Sequence, residues 1–166
     1  MGRRWRFWPL TGFLTAAVLG TLAHFAYRWS GGALLAGVFC AVNESVWEHM
    51  KLLFFPVFLF TAAQFCMGER DGLLAARAVS VTAGLALIPT LYYTYTGIWG
   101  DHVLWADAAI FYLSAAVTFW LDDLLHRQRR LWKMEYQVAG LVWLWVLAFL
   151  FVWWTFSPPH IALFRD

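Results

Sequence analysis

The stretch from Tyr136 to Phe156 has the sequence YQVAGLVWLWVLAFLFVWWTF and contains no charged side chain. At a rise of about 1.5 Å per residue, a helix of this length spans the ~30 Å hydrocarbon core of a bilayer. The turn Ser157-Pro158-Pro159 follows directly, and proline cannot continue a helix. The stretch therefore predicts a transmembrane helix that ends near Phe156.

The rest of the chain has the same character. Of its 166 residues, 62% are apolar and only 13% are charged, and the mean hydropathy is +0.61. A soluble domain of this size leaves too much surface exposed to bury so many apolar side chains. We therefore predict an all-α fold, a polytopic membrane helix bundle with five transmembrane helices in one integral membrane domain, residues 1–166. The other four predicted spans are Phe7–Tyr27, Val46–Met67, Leu73–Thr96 and His102–Leu125.

A shorter apolar stretch covers residues 33–42 and follows the turn Ser30-Gly31-Gly32. It is too short to cross the hydrocarbon core, so we expect a re-entrant or interfacial helix there. The two cysteines, Cys40 and Cys66, lack the spacing of a zinc or redox motif. They fall near opposite membrane faces, which predicts that they do not form a disulfide.

The basic residues predict the orientation of the chain, because Lys and Arg are enriched in cytoplasmic loops. A cytoplasmic N-terminus and an extracytoplasmic C-terminus in the cell membrane put nine of the twelve Lys and Arg inside. Topology thus explains the basic residues, and the net charge of +2 does not indicate a nucleic-acid partner. The lipid bilayer is the expected partner, and a homo-oligomer or a membrane-protein partner stays open. The inner residues are Arg3, Arg4, Arg6, Arg70, Arg77, Arg127, Arg129, Arg130 and Lys133, and the outer ones are Arg28, Lys51 and Arg165.

The run Asn43-Glu44-Ser45-Val46-Trp47-Glu48-His49-Met50-Lys51 interrupts this apolar chain with ionisable groups. Such groups are costly near a membrane, so they must be solvated, paired or functional. Ser45 and Glu48 fit a capping box that opens the second span. Glu44 or Glu48 can also pair with Lys51. Capping does not account for Glu44, His49 or Lys51, and the run is therefore the candidate site.

Two other residues are expected at the same membrane face. His24 ends a series of small residues, Gly12, Ala16 and Gly20, whose spacing of four lets another helix approach closely. Asp107 lies about 7 Å along its predicted helix, and Ser114 and Thr118 share its face. Packing alone can explain His24, and a surface position can explain Asp107, so these alternatives stay open.

These residues can form a binding site, and the sequence leaves its chemistry open. The polar cluster comprises His24, Asn43, Glu44, Glu48, His49, Lys51 and Asp107. His24, His49 and Asp107 are the candidate metal ligands, with zinc as the candidate cofactor. In an enzyme, Glu48 and Ser45 are the candidate catalytic residues, with Glu48 as the base. The same groups can relay protons or bind a polar head group.

The segment from Val42 to Pro56 resembles the signature of an uncharacterised bacterial family of small multi-pass membrane proteins. The segments 29–31, 95–100 and 158–166 look similar too. This resemblance implies a bacterial cytoplasmic membrane location and no particular activity. A more distant similarity, through the pattern Ser45-x-x-x-His49, connects the chain to the progestin/adipoQ receptor and alkaline ceramidase group of membrane zinc hydrolases. The chain lacks the seven spans and the late H-x-x-x-H pair of that group.

Three functions fit the sequence. The first is a structural or assembly protein whose buried polar groups fix helix packing. The second is a ligand-binding protein or a small ion or solute transporter subunit. The third is a metal-dependent intramembrane hydrolase that acts on a lipid or lipid-linked substrate. A small-molecule or lipid ligand is expected in the second and third cases.

Overall fold

The structure is a computed structural model that describes residues 7–165. Arg3, Arg4, Arg6 and Asp166, which enter the sequence analysis, lie outside these described residues. Within residues 7–165, six α-helices and two short 3₁₀ turns follow one another. The helices are α1 (Trp8–Trp29), α2 (Leu34–Phe39), α3 (Val46–Cys66), α4 (Leu73–Trp99), α5 (Leu104–His126) and α6 (Met134–Phe156), and the 3₁₀ turns are Arg129–Trp132 and Ala162–Phe164.

Five of the helices, α1 and α3 to α6, are long and apolar enough to cross a membrane. This confirms the predicted all-helical bundle with five long spans. The short helix α2 has six residues, which is about 9 Å at 1.5 Å per residue. It packs against α1, α3 and α6. We call the end of the bundle where it lies the α2 end.

The start of α3 shows how the polar run begins a helix. The Ser45 hydroxyl accepts a hydrogen bond from the Glu48 amide at 3.4 Å, so Ser45 caps α3 as predicted. Glu48 does not complete the capping box, because the Ser45 amide donates to the Asn43 side chain at 3.2 Å. The Glu48 carboxylate instead accepts a hydrogen bond from the Val42 amide at 3.0 Å. This bond fixes the loop between α2 and α3.

Glycines set the closest helix contacts. A Cβ on Gly20 would lie 2.8 Å from the Leu52 carbonyl oxygen and 2.5 Å from the Phe111 ring. A Cβ on Gly12 would meet the Phe119 ring at 2.2 Å. Gly12, Ala16 and Gly20 are buried, which confirms the predicted small-residue face of α1. This face seats α1 between α3 and α5.

Aromatic side chains join the polar run to the end of the chain. The Trp47 ring lies 4.5 Å from the Phe151 ring of α6 and 4.9 Å from the Phe164 ring of the last 3₁₀ turn, measured between centroids. The C-terminal segment therefore packs back onto the start of α3. Cys40 and Cys66 are both free thiols. They lie after α2 and at the end of α3, at opposite ends of the bundle, as predicted.

A second buried polar network lies in the half of the bundle away from α2. The Arg77 guanidinium is 1% exposed and donates two hydrogen bonds of 3.0 Å to the Asp122 carboxylate. It also donates to Thr61 at 3.0 Å and to Gln64 at 2.9 Å. Arg77 is thus fully paired inside the bundle, although the sequence placed it among the basic residues of the inner face. This network was not predicted from the sequence, because its members are spread over α3, α4 and α5.

Candidate functional site

Three segments bring polar side chains together at the α2 end. α1 supplies His24 from its last two turns, and α3 supplies His49 from its first turn. Glu44 comes from the loop that the Ser45 cap and the Glu48–Val42 hydrogen bond hold in place. The close approach of α1 at Gly20 brings His24, one turn later, next to α3.

The three side chains form a compact group. Glu44 Oε2 lies 3.8 Å from His24 Nε2 and 3.7 Å from His49 Nε2. The two imidazole centroids are 5.4 Å apart, and one nitrogen or oxygen atom from each of the three residues lies within 4.8 Å of the others. Among the described residues, this is the set of histidines and carboxylates whose geometry suits a metal ion. We call it the His24–Glu44–His49 group.

A hydrogen bond fixes the ring of His49. Its Nδ1 lies 2.9 Å from the Ser45 carbonyl oxygen. A carbonyl can only accept, so Nδ1 carries a proton, and Nε2 is the ring nitrogen that faces Glu44. A backbone carbonyl in this position is the usual outer partner of a metal-binding histidine.

The group lies at the border between the bundle and its surroundings. The side chains of His24 and His49 are 23% and 28% exposed, whereas that of Glu44 is 58% exposed. Arg28 Nη2 lies 3.7 Å from Glu44 Oε1, which adds a positive charge beside the carboxylate. The two imidazoles therefore face inward and the carboxylate covers them from outside.

A cavity of about 490 Å³ adjoins the group. Its volume is in the range of ~300–1,000 Å³ typical of small-molecule sites. The ionisable residues of its wall, His24, Glu44, His49, His102 and Asp107, lie at the end near α2. Farther from α2, the wall is mostly apolar, and its lining residues include Leu52, Ile88, Ile110 and Phe111 together with Thr21, Tyr92 and Tyr112.

Asp107 lines this cavity with a different set of partners. The Tyr95 hydroxyl donates to Asp107 Oδ1, and His102 Nδ1 lies 3.3 Å from Oδ2. The Val103 amide donates to the Tyr95 oxygen at 3.2 Å, so the short turn between α4 and α5 holds the whole set. Ser114 and Thr118, on the same face of α5, are fully buried, which confirms the predicted polar stripe inside the bundle.

Glu48 and Lys51 lie in a separate, buried arrangement. Glu48 Oε2 is 2.6 Å from Lys51 Nζ, and Glu48 Oε1 accepts a hydrogen bond from Thr155 at 3.0 Å. Lys51 also donates to the Gly37 carbonyl at 2.9 Å and to Thr155 at 3.0 Å. Both charges are thus fully engaged in joining α2, α3 and α6.

The structure therefore divides the predicted site residues into several sets. His24, Glu44 and His49 come together, and Asp107 lines the same cavity in its own hydrogen-bonded set. Ser45 caps α3, and its hydroxyl donates a hydrogen bond to Asn43 Oδ1 at 2.8 Å. Glu48 and Lys51 form the buried ion pair.

Three residues of the site were not among the predicted ones: Arg28, Tyr95 and His102. Tyr95 and His102 could have been found from the Gly97–Gly100 turn, because so short a connection brings the end of α4 against the first turn of α5. Arg28 had no comparable signal. It lies one turn after His24 on α1, but nothing in the sequence shows that Glu44 is opposite.

Two imidazoles and one carboxylate are a donor set that suits zinc and related divalent transition metals. Three protein ligands leave further coordination positions for water or a ligand, as in catalytic zinc sites. An open coordination position distinguishes a catalytic or ligand-binding metal site from a structural site, in which protein side chains fill every position.

A family model with the description "Family of unknown function (DUF6512)" matches residues 3–166. No curated protein and no solved structure matches the chain significantly.

Proposed function

The chain belongs to the DUF6512 family, whose function is unknown, and we propose that it is a membrane protein that binds a divalent metal ion and presents it to a ligand in the adjacent cavity. The observation that carries this proposal is the convergence of His24, Glu44 and His49, from three separate segments, at the polar end of a 490 Å³ cavity. Zinc is the metal that this donor set favours.

The close pairing of Glu48 and Lys51 differs from the looser contacts within the His24–Glu44–His49 group, and this difference supports the assignment. Glu48 and Lys51 satisfy each other and three further groups inside the protein, as expected of residues that fix packing. In the His24–Glu44–His49 group, Glu44 Oε2 lies 3.7–3.8 Å from the two histidine Nε2 atoms, which is longer than a direct hydrogen bond. No direct hydrogen bond joins these atoms, so an ion between them would break none and could be coordinated by all three side chains.

We further propose that the α2 end faces the outside of the cell. The loop residues Arg70, Arg127, Arg129, Arg130 and Lys133 lie at the opposite end of the bundle, and such residues are enriched on the cytoplasmic side. The metal group would then lie at the outer surface of the cell membrane. Extracellular ions and ligands would reach it without crossing the bilayer.

The test is the metal content of the purified protein. The protein is loaded with zinc in detergent, desalted and analysed by elemental mass spectrometry. About one zinc per chain is expected in the wild type, and His24→Ala and His49→Ala should each lower the content at least tenfold. His102→Ala is the matched control, because His102 lines the same cavity but pairs with Asp107.

Two results would refute the proposal. One is a folded wild-type protein that retains no zinc or other divalent ion under these conditions. The other is equal zinc in the wild type and in both histidine variants, since zinc would then be held elsewhere. Asp107→Asn should keep its zinc, whereas the sequence alone predicted Asp107 as a ligand.

A metal-dependent hydrolase is the second candidate function, and the position of Asp107 favours it. Asp107 lines the cavity outside the metal group, and its partners are a phenol and an exposed imidazole, not a buried ammonium such as Lys51. It is therefore better placed than Glu48 to accept a proton from an attacking water. The metal would supply a nucleophilic water at neutral pH. Glu48 is less suitable as the base, because Lys51, Thr155 and Val42 occupy its oxygens. In this case Asp107→Asn would abolish ester or amide hydrolysis while zinc stays bound.

A further inference from the structure

The cavity has a side that faces the membrane between α1 and α5. Thr21 and Phe25 of α1 and Leu104, Ala108 and Tyr112 of α5 all line the cavity, and all five are exposed. Residues that both line a cavity and are exposed form its rim. Because these residues lie on membrane-spanning helices, the opening they border faces lipid.

A hydrogen bond between α1 and α5 marks the edge of this opening that is farthest from the α2 end. Thr21 Oγ1 lies 3.0 Å from the Tyr112 hydroxyl and ties α1 to α5. Tyr112 lies about 12 Å along α5 from Leu104, at 1.5 Å per residue. Farther from the α2 end, Gly12 packs directly on Phe119, so the two helices are closed there. The opening therefore occupies the half of the membrane next to the α2 end.

The inner walls have two chemical characters. Leu52, Ile88 and Phe111 give the depth of the cavity an apolar surface, whereas His24, Glu44 and His49 lie at its end near the membrane surface. A ligand that matches both parts has a polar head at the level of the lipid head groups and a hydrocarbon chain below it. Membrane lipids have this arrangement in the same orientation.

The charge of the site indicates the sign of the head group. A divalent ion held by two neutral imidazoles and one carboxylate keeps a net positive charge, and Arg28 lies next to Glu44. The other acidic side chain of the cavity, Asp107, lies outside the metal group, in its own set with Tyr95 and His102. The charges next to the open metal positions are therefore those of the ion, Glu44 and Arg28. The head group that fits is therefore anionic, with a phosphate or carboxylate oxygen available to the metal.

We propose that the ligand is an anionic amphiphile of the membrane, with a phosphate or carboxylate head and a hydrocarbon chain, and that it enters the cavity sideways from the lipid between α1 and α5. This inference rests on the proposed metal site for the sign of the head group. The position of the opening is independent of the metal.

The test compares three probes on the protein in lipid nanodiscs, with binding measured by displacement of a fluorescent lysophosphatidic acid. Oleoyl lysophosphatidic acid has both the phosphate and the chain, monooleoylglycerol lacks the phosphate, and glycerol 3-phosphate lacks the chain. Only the first is expected to displace the fluorescent probe at micromolar concentration, and the other two should be at least 10-fold weaker.

A pair of variants tests the lateral opening. Ala108→Trp places an indole in the rim, and we expect about 10-fold weaker binding of oleoyl lysophosphatidic acid with unchanged zinc content. Ala116→Trp is the matched control, because Ala116 is exposed on the same helix two turns farther from the α2 end. It should bind like the wild type.

The outcomes separate this inference from the proposed metal site. Equal binding by monooleoylglycerol would refute the anionic head, and equal binding by glycerol 3-phosphate would refute the need for a chain. Unchanged affinity in Ala108→Trp would refute entry between α1 and α5. A wild type without zinc in which Ala108→Trp still weakens binding would refute the metal site but support the lateral opening.

Discussion

Glu48 and Lys51, one turn apart at the start of α3, form an ion pair in which both side chains are almost completely buried. The carboxylate holds the Val42 amide, and the ammonium holds the Gly37 carbonyl. Thr155 of α6 contacts both members of the pair. The pair thus fixes the loop that carries Glu44, and through it the geometry of the candidate metal group.

Lys51→Met should destabilise the protein strongly, because it leaves the Glu48 carboxylate buried without its counter-ion. Removing one partner of a buried pair costs about 3–5 kcal/mol of unfolding free energy. The double variant Glu48→Gln/Lys51→Met should lose less, since it leaves no uncompensated charge. Denaturant titration in mixed micelles measures both values.

Lys133→Met is the control for this experiment. Lys133 is 64% exposed and lies 3.8 Å from Glu135, and such surface pairs contribute about 0–1 kcal/mol. Equal stability of Lys51→Met and Lys133→Met would mean that the ion pair does not hold the loop.

The stability that the Arg77–Asp122 pair gives to the protein should depend on the shape of the cation as well as on its charge. The guanidinium donates to Asp122, Thr61 and Gln64 at once, and a lysine ammonium cannot reproduce this planar fork. Arg77→Lys should therefore lower the unfolding temperature clearly, and Asp122→Asn more so, because it leaves the arginine charge unpaired.

Arg127→Lys provides the comparison, because Arg127 pairs with Asp123 on an exposed surface. It should melt within a degree or two of the wild type. If Arg77→Lys also melts at that temperature, the bidentate geometry contributes nothing to stability.

The prediction of five spans, which the structure confirms, and the choice of residues 43–51 as the candidate site both depend on local signals. Apolar length sets a membrane helix, and the charges of residues 43–51 stand out in an apolar chain. The partners within the site depend on tertiary contacts that periodicity does not contain. Glu48 and Lys51 were equally plausible as site residues until the position of α6 showed Thr155 beside them.

The dependence on tertiary contacts also explains why the sequence did not predict Glu44 as a member of the His24–Glu44–His49 group. Asp107 and Glu44 were both carboxylates expected at the same membrane face, and Asp107 was the one predicted as a candidate metal ligand. The choice between them depends on Tyr95 and His102, which engage Asp107. Those contacts arise from the turn between α4 and α5, and helix order around the bundle was not predicted.

Gly20→Ala should weaken both the packing of α1 and zinc binding. The new Cβ would lie 2.8 Å from the Leu52 carbonyl oxygen, which is backbone and cannot move aside easily. Overpacking of this kind costs about 1–3 kcal/mol. Because His24 is one turn away on the same helix, a displaced α1 also moves a candidate metal ligand. Thermal melting and zinc content of the same sample measure the two effects.

Gly97→Ala is the matched control. It lies within α4, and a Cβ there would meet nothing within 4 Å. Alanine is favoured over glycine in a helix by about 0.5–1 kcal/mol, so this variant should be slightly more stable and should keep its zinc. A Gly20→Ala protein that behaves like Gly97→Ala would exclude the close approach of α1 to α3.

The two cysteines should report the orientation of the chain by their reactivity with a maleimide that does not cross membranes. Cys66 is exposed at the end opposite to α2, so we expect labelling in inside-out vesicles and not in intact cells. Burial raises the pKa of the Cys40 thiol, and the nearby Lys51 charge only partly opposes this. Since the thiolate is the reactive form, Cys40 should react slowly from the outer side and faster as the pH rises. The single variants Cys40→Ala and Cys66→Ala assign each signal, and labelling of Cys66 in intact cells would reverse the proposed orientation and place the metal group in the cytoplasm.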